Sequence, residues 1–178
     1  MLTILKDYMK TISYTISKEG LILCYYLVAT LPSDADLIAL EPLIERYNMG
    51  FEVLENKYLS NQLSKGERLF IATKNYCDCD TVIGCDVKQT GEMELGEHRL
   101  VLSDDEKQGR ELKNWFDFIY EALKGNKASH LGIIKHFYRG SVEQEKFKVL
   151  ETTMARIKGI KPKYLRKVQD DVYYKFIP

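Results

Sequence analysis

The sequence predicts an α+β fold, a mixed and mainly antiparallel sheet with helices packed on it, and a ferredoxin-like core as its specific form. Three observations carry that expectation. Segments of strand length and segments of helical period follow one another in the order β-α-β-β-β-α-β-α-α-β, without the strict alternation of a doubly wound parallel sheet. The run Leu21 to Thr30 (LILCYYLVAT) is apolar on both faces, as a central strand covered on two sides must be. The 178 residues are 45% apolar and 29% charged, with four prolines, which suits a single α+β domain over residues 1–178.

The elements follow in order. Residues 1–17 carry two periods, helical in Leu5, Met9, Ile12 and Ile16 and alternating in Ile12, Tyr14 and Ile16, so a short helix running into an extended segment is expected. Pro32 stops the central strand. Ser33 and Asp36 then open a helix whose apolar face is Leu37, Leu40, Leu43, Ile44 and Tyr47, with Pro42 as a point of restart. Gly50 leads into the short strand FEVLE. Gly66 leads into RLFIATK, with Leu69, Ile71 and Thr73 on one side and Phe70 and Ala72 on the other.

Residues Asn75 to Glu97 hold three glycines and few large apolar groups, and read as a long irregular excursion before a strand at His98 to Leu102. Ser103 and Glu106 form a capping box. Leu112, Trp115, Phe116, Ile119, Ala122 and Leu123 continue that helix until Gly125 closes it. Leu131 to Tyr138 reads as a strand. Ser141 and Gln144 form a second capping box ahead of Phe147, Leu150, Met154 and Ile157, which predicts a helix ending at Gly159. A short helix beginning at Pro162 buries Leu165 and Val168, and VYYKFI closes the chain as an alternating strand.

The longest apolar run, Leu21 to Ala29, is far shorter than a bilayer span, and the N-terminus lacks the pattern of a secretory signal. A cytoplasmic protein without a membrane partner is expected. Three of the four cysteines crowd into nine positions, as Cys77, Cys79 and Cys85, which agrees with a reducing compartment. Thiols two apart on extended backbone point to one side and lie close enough for one soft metal ion. In a ferredoxin-like sheet the first strand runs antiparallel to the third, which brings Cys24 near Cys77. Read plainly, Cys24 is a small core residue, the loop thiols are merely reduced and no cofactor is expected; zinc is the alternative such a cluster would take, although C-x-C-x5-C is not the two-knuckle spacing of a zinc ribbon.

No phosphate loop, dinucleotide fingerprint, nucleophile elbow or H-E-x-x-H is present, and no catalytic residue is expected. His98, His130 and His136 are scattered and read as structural. Twenty-six bases balance twenty-six acids, which excludes a uniformly basic polyanion binder. The balance is uneven along the chain. Nine acids lie between Asp78 and Glu106 against only Lys88 and Arg99, whereas Thr152 to Gln169 has six bases and no acid.

The acidic stretch, with Asp78, Asp80, Asp86, Glu92, Glu94 and Glu97, is the expected surface for a basic protein partner. An immunity protein neutralising a cationic toxin is one concrete form of that expectation. The Cys77, Cys79, Cys85 and Cys24 cluster supports the alternative of a zinc- or thiol-dependent protein. The basic stretch of Arg156, Lys158, Lys161, Lys163, Arg166 and Lys167, with Tyr164 as a stacking residue, is the weaker alternative of a nucleic-acid surface.

Overall fold

The computed structural model describes residues 24–73, 77–79, 81–84 and 105–178. The expected elements at residues 1–17 and at His98 to Leu102, the Ser103 cap, and most of the acidic excursion lie outside these residues. Six strands form one sheet, numbered along the chain: β1 (Cys24–Pro32), β2 (Glu52–Val53), β3 (Glu67–Ile71), β4 (Leu131–Tyr138), β5 (Glu151–Arg156) and β6 (Val172–Ile177). Their spatial order is β2-β3-β1-β4-β6-β5. Every pairing is antiparallel except β5 with β6. The mixed, mainly antiparallel α+β sheet anticipated from the sequence is therefore present.

Helix α1 (Leu37–Tyr47) joins β1 to β2, the single turn α2 (Lys57–Ser60) joins β2 to β3, and α3 (Asp105–Lys124) precedes β4. Asp36 caps α1 by accepting from the Ala39 N–H, and Pro42 lies within the helix without dividing it. Both long helices end in an asparagine with left-handed backbone, Asn48 and Asn126, each at φ 52°. In α3 the Lys127 N–H returns to Ala122 and the Asn126 N–H to Leu123, a Schellman closure. Asn126, and not Gly125, takes the left-handed position there.

Alternation along β1 sends Leu27, Ala29 and Leu31 to one face and Val28 to the other, and all four are fully buried. The first face packs on Leu40 and Leu43 of α1 and on Leu112, Trp115, Phe118, Ile119 and Leu123 of α3. The second is covered by Leu54, Leu59 and Val142 over Leu69, Ile134, Tyr138 and Tyr173. A strand covered on both sides has no polar face to show in its sequence, which is why CYYLVAT reads as continuous apolar.

The helix expected after Ser141 is absent. Ser141 and Gln144 make one isolated turn, after which the chain extends and Glu151 to Arg156 pair with β6. Phe147, Leu150 and Met154 recur at helical spacing, yet Leu150 and Met154 are 66% and 64% exposed, so that period marks no buried stripe. Two β-branched residues, Thr152 and Thr153, favour the extended form, and Gln62 holds the preceding chain straight through the Phe147 carbonyl and the Val149 N–H. Parallel pairing of β5 with β6 needs a crossover. Two 3-10 turns supply it, Ile157–Gly159 and Pro162–Lys167, burying Ile157, Leu165 and Val168.

Candidate metal centre

The site begins with a shortage of hydrogen bonds. Strand β3 pairs with β1 only from Pro32 back to Val28, so the earlier N–H groups of β1 on that side, at Leu27 and Tyr25, need other acceptors. The residues after β3 supply them with side chains. Thr73 Oγ1 accepts from the Leu27 N–H at 3.2 Å, Asp78 Oδ2 accepts from the same group at 2.8 Å, and Cys79 Sγ accepts from the Tyr25 N–H at 3.3 Å. Asp78 donates its own N–H to the Tyr25 carbonyl at 2.8 Å, and the Thr73 hydroxyl donates to Asp78 Oδ2.

A tight turn fixes this segment. The Thr81 hydroxyl donates to the Asp78 carbonyl at 2.9 Å and accepts from the Gly84 N–H at 3.0 Å. A side chain at Gly84 would lie 2.1 Å from the Asp78 carbonyl oxygen, so only glycine allows the turn to close. Ile83 anchors the turn in the core, and Val82 donates to Glu111 of α3 at 3.0 Å.

The result is a three-thiol cluster. Cys24 at the start of β1 meets Cys77 and Cys79, with the three sulfurs within 4.8 Å of one another. All three are half-buried free thiols. Burial, with further contributions from Cys77 and Cys79, pushes the Cys24 thiol up to about 12. Cys79 is also raised, chiefly by burial and in part offset by the Tyr25 N–H. Protonated thiols are poor nucleophiles, which weighs against thiolate attack by Cys24 or Cys79, whereas the three sulfurs are close enough together to hold a metal ion. The antiparallel relation of β1 and β3 brings Cys24 to Cys77, as expected. Cys85 lies outside the described residues.

Asp78 is not part of an exposed acidic face: it is 3% exposed, and its carboxylate serves the β1 ladder. Its role as a partner-binding residue is therefore corrected. Asp80, Asp86, Glu92, Glu94 and Glu97 lie outside the described residues. Arg156, Lys158, Lys161, Lys163, Arg166 and Lys167 are all exposed, on the end of β5 and the two 3-10 turns beyond it. Arg166 donates to Gln108 at 3.2 Å. Tyr164 is half-buried against the core. His136 is held by Asp171 at 2.5 Å and stacks on Phe147 at 3.7 Å, a structural setting.

Sequence reading missed the roles of Thr73 and Asp78. A buried carboxylate between two cysteines was the available signal, but its hydrogen-bond partners lie about fifty residues away on β1. Among the described residues no helix is long and apolar enough to cross a membrane. Comparison with family models, curated proteins and solved structures gives no match for this chain.

Proposed function

We propose that Cys24, Cys77 and Cys79 form a thiolate centre for a soft divalent cation of the zinc class, which clamps the segment 77–84 onto the first strand. The carrying observation is the convergence of three sulfurs from two distant segments to within 4.8 Å. A tetrahedral zinc with bonds of ~2.3 Å holds its sulfurs ~3.8 Å apart, so a contraction of less than about 1 Å suffices. The Asp78 carboxylate, between the two cysteines in sequence, is engaged with Leu27 and Thr73. Cys24, Cys77 and Cys79 would hold the cation as thiolates, each giving up its proton to solvent. Cys85, which the sequence groups with these cysteines, is the candidate for a further ligand.

This reading is preferred to a protein-binding surface because it rests on side chains whose positions are described. A ferredoxin-like core is part of the same proposal. It is supported by the spatial order β2-β3-β1-β4 and by helices α1 and α3 joining β1 to β2 and β3 to β4 on one face.

The test is elemental analysis of the full chain, purified under reductant without a metal-chelating column. About one zinc-class ion per chain is expected, lost in Cys24→Ser and Cys79→Ser and diminished in Cys85→Ser only if that residue is the fourth ligand. A metal-free protein that also fails to give a thiolate-to-cobalt charge-transfer band on titration with Co2+ would overturn the proposal.

A further inference from the structure

The opposite end of β1 carries a separate polar chain. Ser129 Oγ lies 3.2 Å from His130 Nδ1, and His130 Nε2 lies 2.6 Å from Glu67 Oε1. We propose that Ser129, His130 and Glu67 form an acyl-transfer relay, with Ser129 as the nucleophile toward small carboxylic esters.

The order of the three groups sets their roles. The Glu67 carboxylate only accepts, so the neutral imidazole keeps its proton on Nε2, and Nδ1 is left as the base facing the Ser129 hydroxyl. The ring is reversed relative to the usual serine triad, in which Nε2 faces the nucleophile, but either nitrogen can take the proton. Glu67 is firmly placed, its side chain only 2% exposed. The Tyr173 hydroxyl donates to the same Oε1 at 3.2 Å and Lys175 Nζ lies 3.5 Å from it. Thr30 Oγ1 holds the Tyr173 hydroxyl at 2.9 Å, and Gly132 leaves room for the ring, since a side chain there would meet it at 2.1 Å. Glu67 Oε2 is buried without a hydrogen-bond partner, so this carboxylate has capacity left to stabilise the imidazolium that forms.

Ser129 itself is exposed and lines a recess of about 190 Å³ with Asp34, Asn126, Lys127, Ala128 and Pro178. It is held in place from both sides. The Schellman closure of α3 fixes Asn126 and Lys127, the Lys127 carbonyl accepts from the Asp36 N–H at 2.8 Å, and β4 begins at Leu131. The recess is below the ~300 Å³ at which drug-sized ligands are accommodated, which selects short acyl groups such as acetyl.

The step balances as follows. Ser129 Oγ bonds to the ester carbonyl carbon while its proton passes to His130 Nδ1, giving a tetrahedral oxyanion. Collapse breaks the bond to the leaving alkoxide, which takes the proton from Nδ1 and departs as the alcohol. Water, deprotonated by the same nitrogen, then releases the acyl group as a carboxylic acid and regenerates the serine.

The test uses the full chain and a biotinylated fluorophosphonate, which reacts with activated serines and releases fluoride. A single adduct on Ser129 is expected by peptide mass spectrometry, absent in Ser129→Ala, with labelling at least tenfold slower in His130→Ala at unchanged circular dichroism. Glu67 is a positioning residue. In Glu67→Gln labelling is expected to slow, and Glu67→Asp, which keeps the carboxylate, is expected to recover part of the rate. An adduct no stronger than that of the urea-unfolded chain, or labelling indifferent to His130→Ala, overturns the relay. Because Ser129 is exposed, its alanine variant tests the nucleophile even if Glu67→Gln fails to fold.

Discussion

The two ends of β1, eight residue steps and ~26 Å apart, solve opposite problems with the same strand. At the Cys24 end the ladder runs out of partners, and side chains from an irregular segment replace a neighbouring strand. At the Thr30 end the ladder is complete on both sides, and what is buried is a charged side chain, Glu67, surrounded by Tyr173, Lys175 and His130. At the first end the carboxylate of Asp78 is taken up by the strand, and the thiols beside it await a cation. The second is charged from the start and held by hydrogen bonds among side chains. The proposed metal and relay sites are thereby separated along one strand, each placed by what the backbone there leaves unsatisfied or already satisfied.

Breaking the first end most directly means removing the carboxylate that completes its ladder. Asp78→Ala deprives the Leu27 N–H of its shorter bond and leaves Thr73 without its acceptor. It is expected to cost about 2–3 kcal/mol in urea denaturation and to lower metal retention together with stability. The relay end should keep its serine labelling wherever the chain remains folded.

The second end is broken by filling the space under Tyr173. Gly132→Val places methyl groups where Tyr173 and Thr30 already lie and is expected to cost about 1–3 kcal/mol. It should slow labelling of Ser129 while the metal content stays at the wild-type level. A fall in both readouts would mean that the two ends are coupled through the sheet.

The smallest effect is a slope with pH. Cys24 is raised from an ordinary value of 9.0 to about 12, so between those values the folded chain holds a proton that the unfolded chain has released. Stability of the metal-free protein is therefore complete below pH 9 and falls as pH rises toward 12. Tyr138 and Tyr173, raised mainly by burial, give a falling slope of their own in alkali. The thiol contribution is the difference between wild type and Cys24→Ser, with the wild type expected to fall more steeply in denaturant titrations across that range.

Much of the fold was legible because burial imposes a period. Leu40 and Leu43 in α1, Leu112, Trp115, Ile119 and Leu123 in α3, and the alternation of Leu69 with Phe70 in β3 all face the sides that their spacing predicts. Phe118, fully buried, was not picked out of the α3 period because it stands beside Ile119 on a stripe wider than the one counted. The segment after Ser141 misled because a capping box and an apolar spacing coincided in a chain that forms an edge strand, where exposure of Leu150 and Met154 costs little. The thiol cluster was half legible. Cys77 and Cys79 announce themselves by proximity in sequence, and Cys24 joins them only through the antiparallel pairing of β1 and β3.

The α+β class, the central strand and the amphipathic helices follow from local patterns of apolar side chains, each repeated within ten or twenty residues. Tertiary structure alone decided that Asp78 serves the backbone of β1 and that Glu67, sixty-three residues from His130, supports its imidazole. Hydrogen bonds to a strand edge and between neighbouring strands depend on register and on where a partner strand stops. Those are properties of the assembled sheet, and no spacing within one segment encodes them.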